Sequence, residues 1–217
     1  MGIGRRNFLL GAGGLVALAA AADALPMDLL PQDVLPTFAT GLPNGAFDNL
    51  APQAPVVEPI DYPFEVLREG HVCEAFARIS MRAVVLARRR YWFGPLTISP
   101  VDMVLGWGPM SNPVVLRTVR IRLAGRDYEW EVRPPPRIRG QEVGEYSGAI
   151  HAIPASLQVR DSILSTRRNH VVRISGHLCN VRTPDGGVFD AVRGSQAGGE
   201  RKFVLVDEIQ RLQGAEI

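Results

Sequence analysis

The chain has 217 residues, room for one domain with extensions or at most two small ones. Hydrophobic residues make up 46% and charged residues 21%, with a net charge of +2, which supplies a core and excludes general disorder. The small net charge conceals a segregation: no Lys or Arg falls between Asn7 and Leu67, whereas 22 basic and 15 acidic residues lie from Arg68 onward, a balance of +7. A basic domain behind an acidic stretch suits anionic lipid headgroups, acidic glycans or a negatively charged partner.

At the start, Arg5 and Arg6 precede Asn7, Phe8, Leu9 and Leu10 and then a soft apolar run, Gly11 to Ala22. This resembles the bacterial twin-arginine export signal, in which paired arginines stand ahead of a polar residue, a Phe-Leu pair and a weakly hydrophobic segment. The resemblance implies delivery to the periplasm of a protein already folded, often with a cofactor inserted or a partner bound. Small residues at Ala22 and Ala24 suit signal peptidase. The alternative is an uncleaved anchor in the inner membrane. Phe8 to Ala22 is 15 residues, roughly 22 Å of helix against a hydrocarbon core of about 30 Å, so the length favours cleavage. Residues 1–24 are therefore read as signal or anchor.

Prolines recur from Pro26 to Pro63, with Gly41, Asn44 and Gly45 among them. Proline fixes φ and removes the backbone donor, so residues 25–66 read as an extended tether without helix or central strand. It is either a passive spacer or a strap whose apolar beads, Leu29, Leu30, Val34, Leu35, Phe38, Leu42, Phe47 and Leu50, lie in a partner's groove.

The domain is placed at residues 67–212, with a short tail at 213–217. His71 to Arg88 alternates between an apolar face from Cys73 to Val85 and a polar face carrying Glu74, Arg78, Ser80 and Arg82, a long half-buried strand. Ser99, Pro100 and Asp102 read as the start of a short helix ending by Gly106. Val119, Ile121 and Leu123 alternate with arginines, and Tyr128, Trp130 and Val132 with acidic residues. A hairpin turning at Ala124-Gly125 then pairs Arg122 with Asp127, Arg120 with Glu129, Ile121 with Tyr128 and Val119 with Trp130. After Pro134-Pro135-Pro136 a loop carries Tyr146, Ser147 and His151. Ser156 caps a helix to about Ser165, with Leu157, Ile163 and Leu164 as its apolar contacts. His170 to Arg182 is a strand with Val172, Ile174 and Leu178 inward. Asp185-Gly186-Gly187 turns into a strand from Val188 to Val192, and Lys202 to Ile209 closes the domain.

This order predicts a mainly β fold with one or two short helices. A helix between the third and fourth strands suggests a small OB-like barrel, with an SH3-like barrel or a small β-sandwich as alternatives. Three segments carry a further resemblance: Ser99-Pro100-Val101-Asp102 leading into Gly106-Trp107-Gly108-Pro109-Met110-Ser111, then Ser147 to Ala155, then Ile174-Ser175-Gly176-His177-Leu178. Together these are similar to an uncharacterised family of exported or membrane-anchored bacterial proteins. The resemblance covers roughly residues 75 to 210, departs after Val188, and implies a domain without implying an activity.

Four constellations can carry chemistry. Arg88, Arg89 and Arg90 followed by Tyr91, Trp92 and Phe93, together with Trp107, form a partner-binding surface of the kind that concentrates binding energy. Nucleic-acid binders use similar surfaces, but nucleic acid is no target outside the cytoplasm. A membrane protein complex or another envelope component is the expected partner, and anionic lipid an additional contact. His71-Val72-Cys73 and His177-Leu178-Cys179 repeat a His-x-Cys pattern. Brought together, they would approach a zinc or copper set. Periodicity argues against this, because Cys73 falls on an apolar face and Cys179 on a polar one unless a bulge at Gly176 reverses the sides. A Cys73–Cys179 disulfide and two unpaired thiols are the other readings. Ser147 and His151 suggest a nucleophile with its base but lack an orienting carboxylate, and Gly194 to Gly198 has Arg193 where a nucleophile elbow needs glycine. No catalytic residue and no cofactor is therefore assigned, and His151 is read as anchoring its loop by a hydrogen bond. The expected function is an exported binding or assembly module, an accessory subunit. A metal or redox protein and an envelope hydrolase are the alternatives.

Overall fold

The computed structural model describes residues 48–92, 98–125, 127–189 and 202–212. Arg5 and Arg6, the tether up to residue 47, Phe93, the stretch 194–198 and the tail 213–217 lie outside them.

Strands dominate. Val56–Arg68 is β1 and His71–Arg90 is β2, antiparallel and joined by Glu69-Gly70, both at positive φ as a two-residue hairpin turn requires. β1 takes up the last part of the segment read as a tether, residues 56–66, as an edge strand and not the central strand that its prolines exclude. It lies at the edge of the sheet, where Pro59 and Pro63 deprive no further neighbour of a donor, and its pairing with β2 is interrupted between Pro59 and Phe64. Upstream, Ala51 is wholly buried, and Leu50 packs on the domain with its N–H on Ser111 O. Residues 50–68 are thus packed on or paired with the rest of the described fold.

On β2 the alternation holds, with Ala77, Ile79, Met81, Ala83 and Val85 inward and Arg78, Ser80 and Arg82 exposed. β3 is Val101–Gly106, a strand where a helix was expected. All six of its residues are buried, because β2 and β6 (Ser147–Pro154) flank it and both of its faces are covered. Ser99-Pro100 is thus the lead-in to a strand, and Asp102 pairs across to β6 instead of sitting in a first helical turn. β6 in turn corrects the loop assigned to Ser147 and His151. Its small and polar residues hid a central strand buried on both faces.

The remaining elements are the helix Pro113–Leu116 (α1), the hairpin Val119–Ala124 (β4) and Asp127–Val132 (β5), and the helices Gly140–Glu145 (α2) and Leu157–Ser165 (α3). Strands Val171–Arg182 (β7), Val188–Phe189 (β8) and Phe203–Arg211 (β9) complete the order. The main sheet runs β1-β2-β3-β6-β9-β7-β8, and β2 also pairs with β7, so five strands close into a ring: β2, β3, β6, β9, β7 and back to β2. All ring neighbours are antiparallel except β6 and β9. Inside the ring lie Met81, Val85, Met103, Leu105, Ile174 and Val206, with Ile163 of α3 plugging one end.

The hairpin stands outside this ring as a separate two-stranded sheet. With α1 and α2 it covers Val84, Leu86 and Val104, so β2 is buried on both faces from Ala83 to Leu86. Its register differs from the expected one by two residues. The turn takes in Gly125 at φ +66°, and Ile121 faces Trp130, Leu123 faces Tyr128, Arg122 faces Glu129 and Arg120 faces Glu131. A two-residue shift preserves the side-chain faces, so the charge and aromatic complementarity survives it.

α3 begins where expected, the Ser156 hydroxyl accepting from Val159 N–H at 3.2 Å. Ile163 is fully buried and Leu164 partly so, but Leu157 is 80% exposed and makes no core contact. The inward set Val172, Ile174 and Leu178 on β7 is observed. Among the described residues no helix is long and apolar enough to cross a membrane.

Candidate functional site

β2 ends in three consecutive arginines, and strand alternation sends them in different directions. The Arg89 guanidinium and the Tyr91 hydroxyl both donate to Gly125 O, at 3.2 and 3.3 Å, pinning this end of β2 to the hairpin turn. Arg88 points the other way and donates to Leu164 O at the end of α3 (3.4 Å), while its Nε is buried without a hydrogen-bond partner. Burial, and then the positive charges of Arg90 and Arg167, hold its pKa below the ordinary value. Arg90 lies over the Trp92 ring, 3.6 Å from the centroid, and Trp92 is 67% exposed. That stack is an amphipathic platform at the start of the β2–β3 connection, where Tyr91 N–H bonds Pro100 O. Trp107 does not join it. It is 7% exposed and its backbone N–H bonds Tyr146 O, so it belongs to the fold and is no part of a partner-binding surface.

Of the four His-x-Cys residues, the structure brings together only the cysteines. A bulge in β2 between Ala75 and Ala77 turns Phe76 toward the ring interior, which puts Cys73 on the outer face, the face Cys179 occupies. The reversal thus occurs in β2 and not at Gly176. Both thiols are fully buried with Ile153, Val181, Phe203 and Leu205, free and in hydrogen-bond contact. The adjacent Cys179 side chain holds the Cys73 thiol below its usual pKa, against burial and with help from Arg68; the same contact, with burial, pushes Cys179 up, and the Cys179 S–H donates to Phe203 O at 3.7 Å. His71 bonds through Nδ1 to Glu69 O (3.0 Å), and His177 lies 3.1 Å from the Asp207 carboxylate with Phe64 edge-on to its ring. His177 stands opposite Arg78, seven residues along β2 from His71, roughly 20 Å at strand rise. A tetrahedral set does not form from these positions, and among the described residues no group of three metal-ligating side chains occurs.

The remaining pair resolves differently. Ser147 is four residues from His151 on one extended strand, and its hydroxyl is engaged by Val143 O and the Tyr128 hydroxyl, so the two form no nucleophile and base. Burial pushes the Tyr128 hydroxyl pKa well up. His151 has a carboxylate partner that sequence reasoning missed: its Nδ1 is 2.7 Å from Asp102 Oδ1, directly across the β3–β6 ladder. Ser99 Oγ also reaches Asp102 Oδ1, at 3.4 Å. Both side chains of the dyad are 1% exposed and the imidazole packs on Phe203, so it braces two strands and meets no solvent. The available signal was a lone carboxylate in the apolar run Val101–Leu105, read instead as a helix start.

The three motifs of the family resemblance supply β3 with the turn after it, β6, and part of β7, three of the five ring strands. Set against protein-family models, curated protein sequences and solved structures, the chain matches none of them.

Proposed function

We infer that the ring is an OB-like barrel and that the chain is an exported binding or assembly module, an accessory subunit that docks on a membrane complex or another envelope component. Strand order supports the fold. Numbered along the chain, the ring runs first, second, third, fifth, fourth, with a parallel contact between third and fifth and a helix between third and fourth. OB-folds bind through the loop between their first two strands, and here Arg90, Tyr91 and Trp92 open that loop. This is an analogy of fold, and the docking claim rests on the site itself. The observation that carries it is the Arg90–Trp92 stack, a large aromatic held two-thirds exposed by a guanidinium, the residue pair that dominates hot spots.

Location is the other half of the reading and comes from the twin arginines. Replacing Arg5 and Arg6 by lysine is expected to leave the protein in the cytoplasm, read by fractionation of cells. Normal export of that variant would sink the periplasmic assignment.

The docking claim has its own test. Affinity purification of the full chain from cross-linked native membranes is expected to return a stoichiometric partner, and Trp92→Ala to reduce its recovery at least about tenfold, the scale of a hot-spot truncation. Equal recovery with the variant, or a monomer without partner, would refute it.

A further inference from the structure

Pairing between β2 and β7 is what turns the sheet into a ring, from Val72 opposite Arg182 to Val84 opposite Val171. Cys73 and Cys179 lie at one end of that seam, one on each strand. Cys73 stands opposite Val181 and Cys179 opposite Ala75, so the two are diagonal neighbours across the ladder. Both face outward and both are 0% exposed, among Ile98, Ile153, Phe203 and Leu205, with Val66 of β1 and Phe189 of β8 at the margin. Apart from each other, the thiols meet little that is polar: Cys179 S–H reaches Phe203 O at 3.7 Å, a weak bond.

A zinc ion does not fit the pair. It needs two further donors, and among the described residues no third ligating side chain joins these two. A disulfide needs nothing more, and it removes two weak donors from an apolar pocket. Cα atoms of diagonal neighbours stand about 7–8 Å apart on a regular ladder, slightly beyond the usual disulfide span, so forming the bond shifts one strand end. That end has room to shift, because Cys73 closely follows the Glu69-Gly70 turn and only the edge strand β1 lies on the other side of β2 there.

We propose that Cys73 and Cys179 are an oxidation site, joined by an intramolecular disulfide that staples β2 to β7 and holds the ring closed. The oxidant is a disulfide, carried by a protein oxidase or by a small thiol compound, and an oxidising compartment supplies it. One cysteine, as thiolate, attacks a sulfur of that disulfide and displaces the other sulfur as a thiol; the second cysteine then attacks the mixed disulfide and releases the oxidant's remaining thiol. Two protons and two electrons leave the protein, and the oxidant's disulfide becomes two thiols. The Arg68 guanidinium, close enough to act on Cys73 and bonded to Ala155 O at 2.9 Å, favours the thiolate that this exchange requires. Access comes from local opening of the margin, where β1 is paired on one side only and β8 has two residues. The loop closed from Cys73 to Cys179 spans most of the domain, so the bond takes much chain entropy from the unfolded state and little from the folded one. The inference does not rest on the docking reading, because Trp92 takes no part in it.

The test uses the purified full chain, reduced, unfolded and then refolded in a buffer of oxidised and reduced glutathione. Its intact mass is expected to fall by two hydrogens without a glutathione adduct, and a peptide map to join Cys73 to Cys179. The oxidised form is expected to melt about 10 °C above the reduced form, and full reduction to abolish the difference. Cys73→Ala and Cys179→Ala each leave one thiol and are expected to melt at the same temperature with and without the oxidant. Two thiols that still alkylate once the refolded protein is denatured, or a disulfide formed only between copies of the chain, would overturn the proposal, and the wild-type mass decides this even where a variant fails to fold. An oxidised form no more stable than the reduced one, or a shift that persists in either single variant, would overturn the stapling role.

Discussion

Gly176→Ala is expected to destabilise the protein by about 3 kcal/mol, the upper part of the usual overpacking range. Gly176 sits in β7 where the ladder to β9 shifts register, and a Cβ built there would lie 2.2 Å from Leu205 O and 3.0 Å from Val206 Cα. These are backbone atoms of a ring strand, so relief requires prising β7 from β9 instead of turning a side chain. Gly186→Ala is the internal control. Its Cβ would meet nothing within 4 Å, and only the φ of +86° opposes it, a cost of about 1 kcal/mol. Equilibrium denaturation in urea measures both. If the two alanines cost the same, the close approach of β7 to β9 is wrong.

The second large effect lies in the buried dyad. Asp102→Ala is expected to cost about 3 kcal/mol, because it strands His151 in an apolar site 1% exposed to solvent. Asp102→Asn keeps an acceptor opposite Nδ1 and is expected to cost about half as much. Replacing both partners, Asp102→Val with His151→Leu, removes the bond and the desolvation penalty together and is expected to recover most of the loss. A double-mutant cycle in denaturant reads the coupling directly. Additive single losses would show that Asp102 and His151 contribute independently, and the bracing role would fall.

How far the sequence carried the reading depends on how many faces of each element are buried. β2 was legible as a strand because from Ala77 to Arg82 its inner face alternates with an arginine and serine face left in water, the condition under which a period of two is visible. The β4–β5 hairpin was legible for the same reason, with only its register displaced by one turn position. α3 was legible from Ser156, whose cap is local chemistry. β3 and β6 were not, because strands covered on both faces lose the alternation, and Ser99-Pro100 and Gly148-Ala149 mimic a helix start and a loop. β1 was hidden by its prolines, which an edge position tolerates.

At the sites the division is similar. The basic and aromatic end of β2 is contiguous in sequence and could be read there, whereas Trp107 was assigned by residue type before its burial was visible. Asp102 with His151 and Cys73 with Cys179 are separated by tens of residues in the chain.

What the sequence by itself determined is local: the alternation of β2, the cap of α3 and the hairpin's complementary faces, each a matter of residues within a few positions of one another. What only the tertiary structure decided is which strands close the ring and which faces end up covered. Ring closure pairs β2 with β7 and β6 with β9 across long separations, and a single bulge at Phe76 moves Cys73 from one face to the other. No nearest-neighbour preference encodes such a displacement, because its cost and its benefit are both settled by atoms that the rest of the chain brings in.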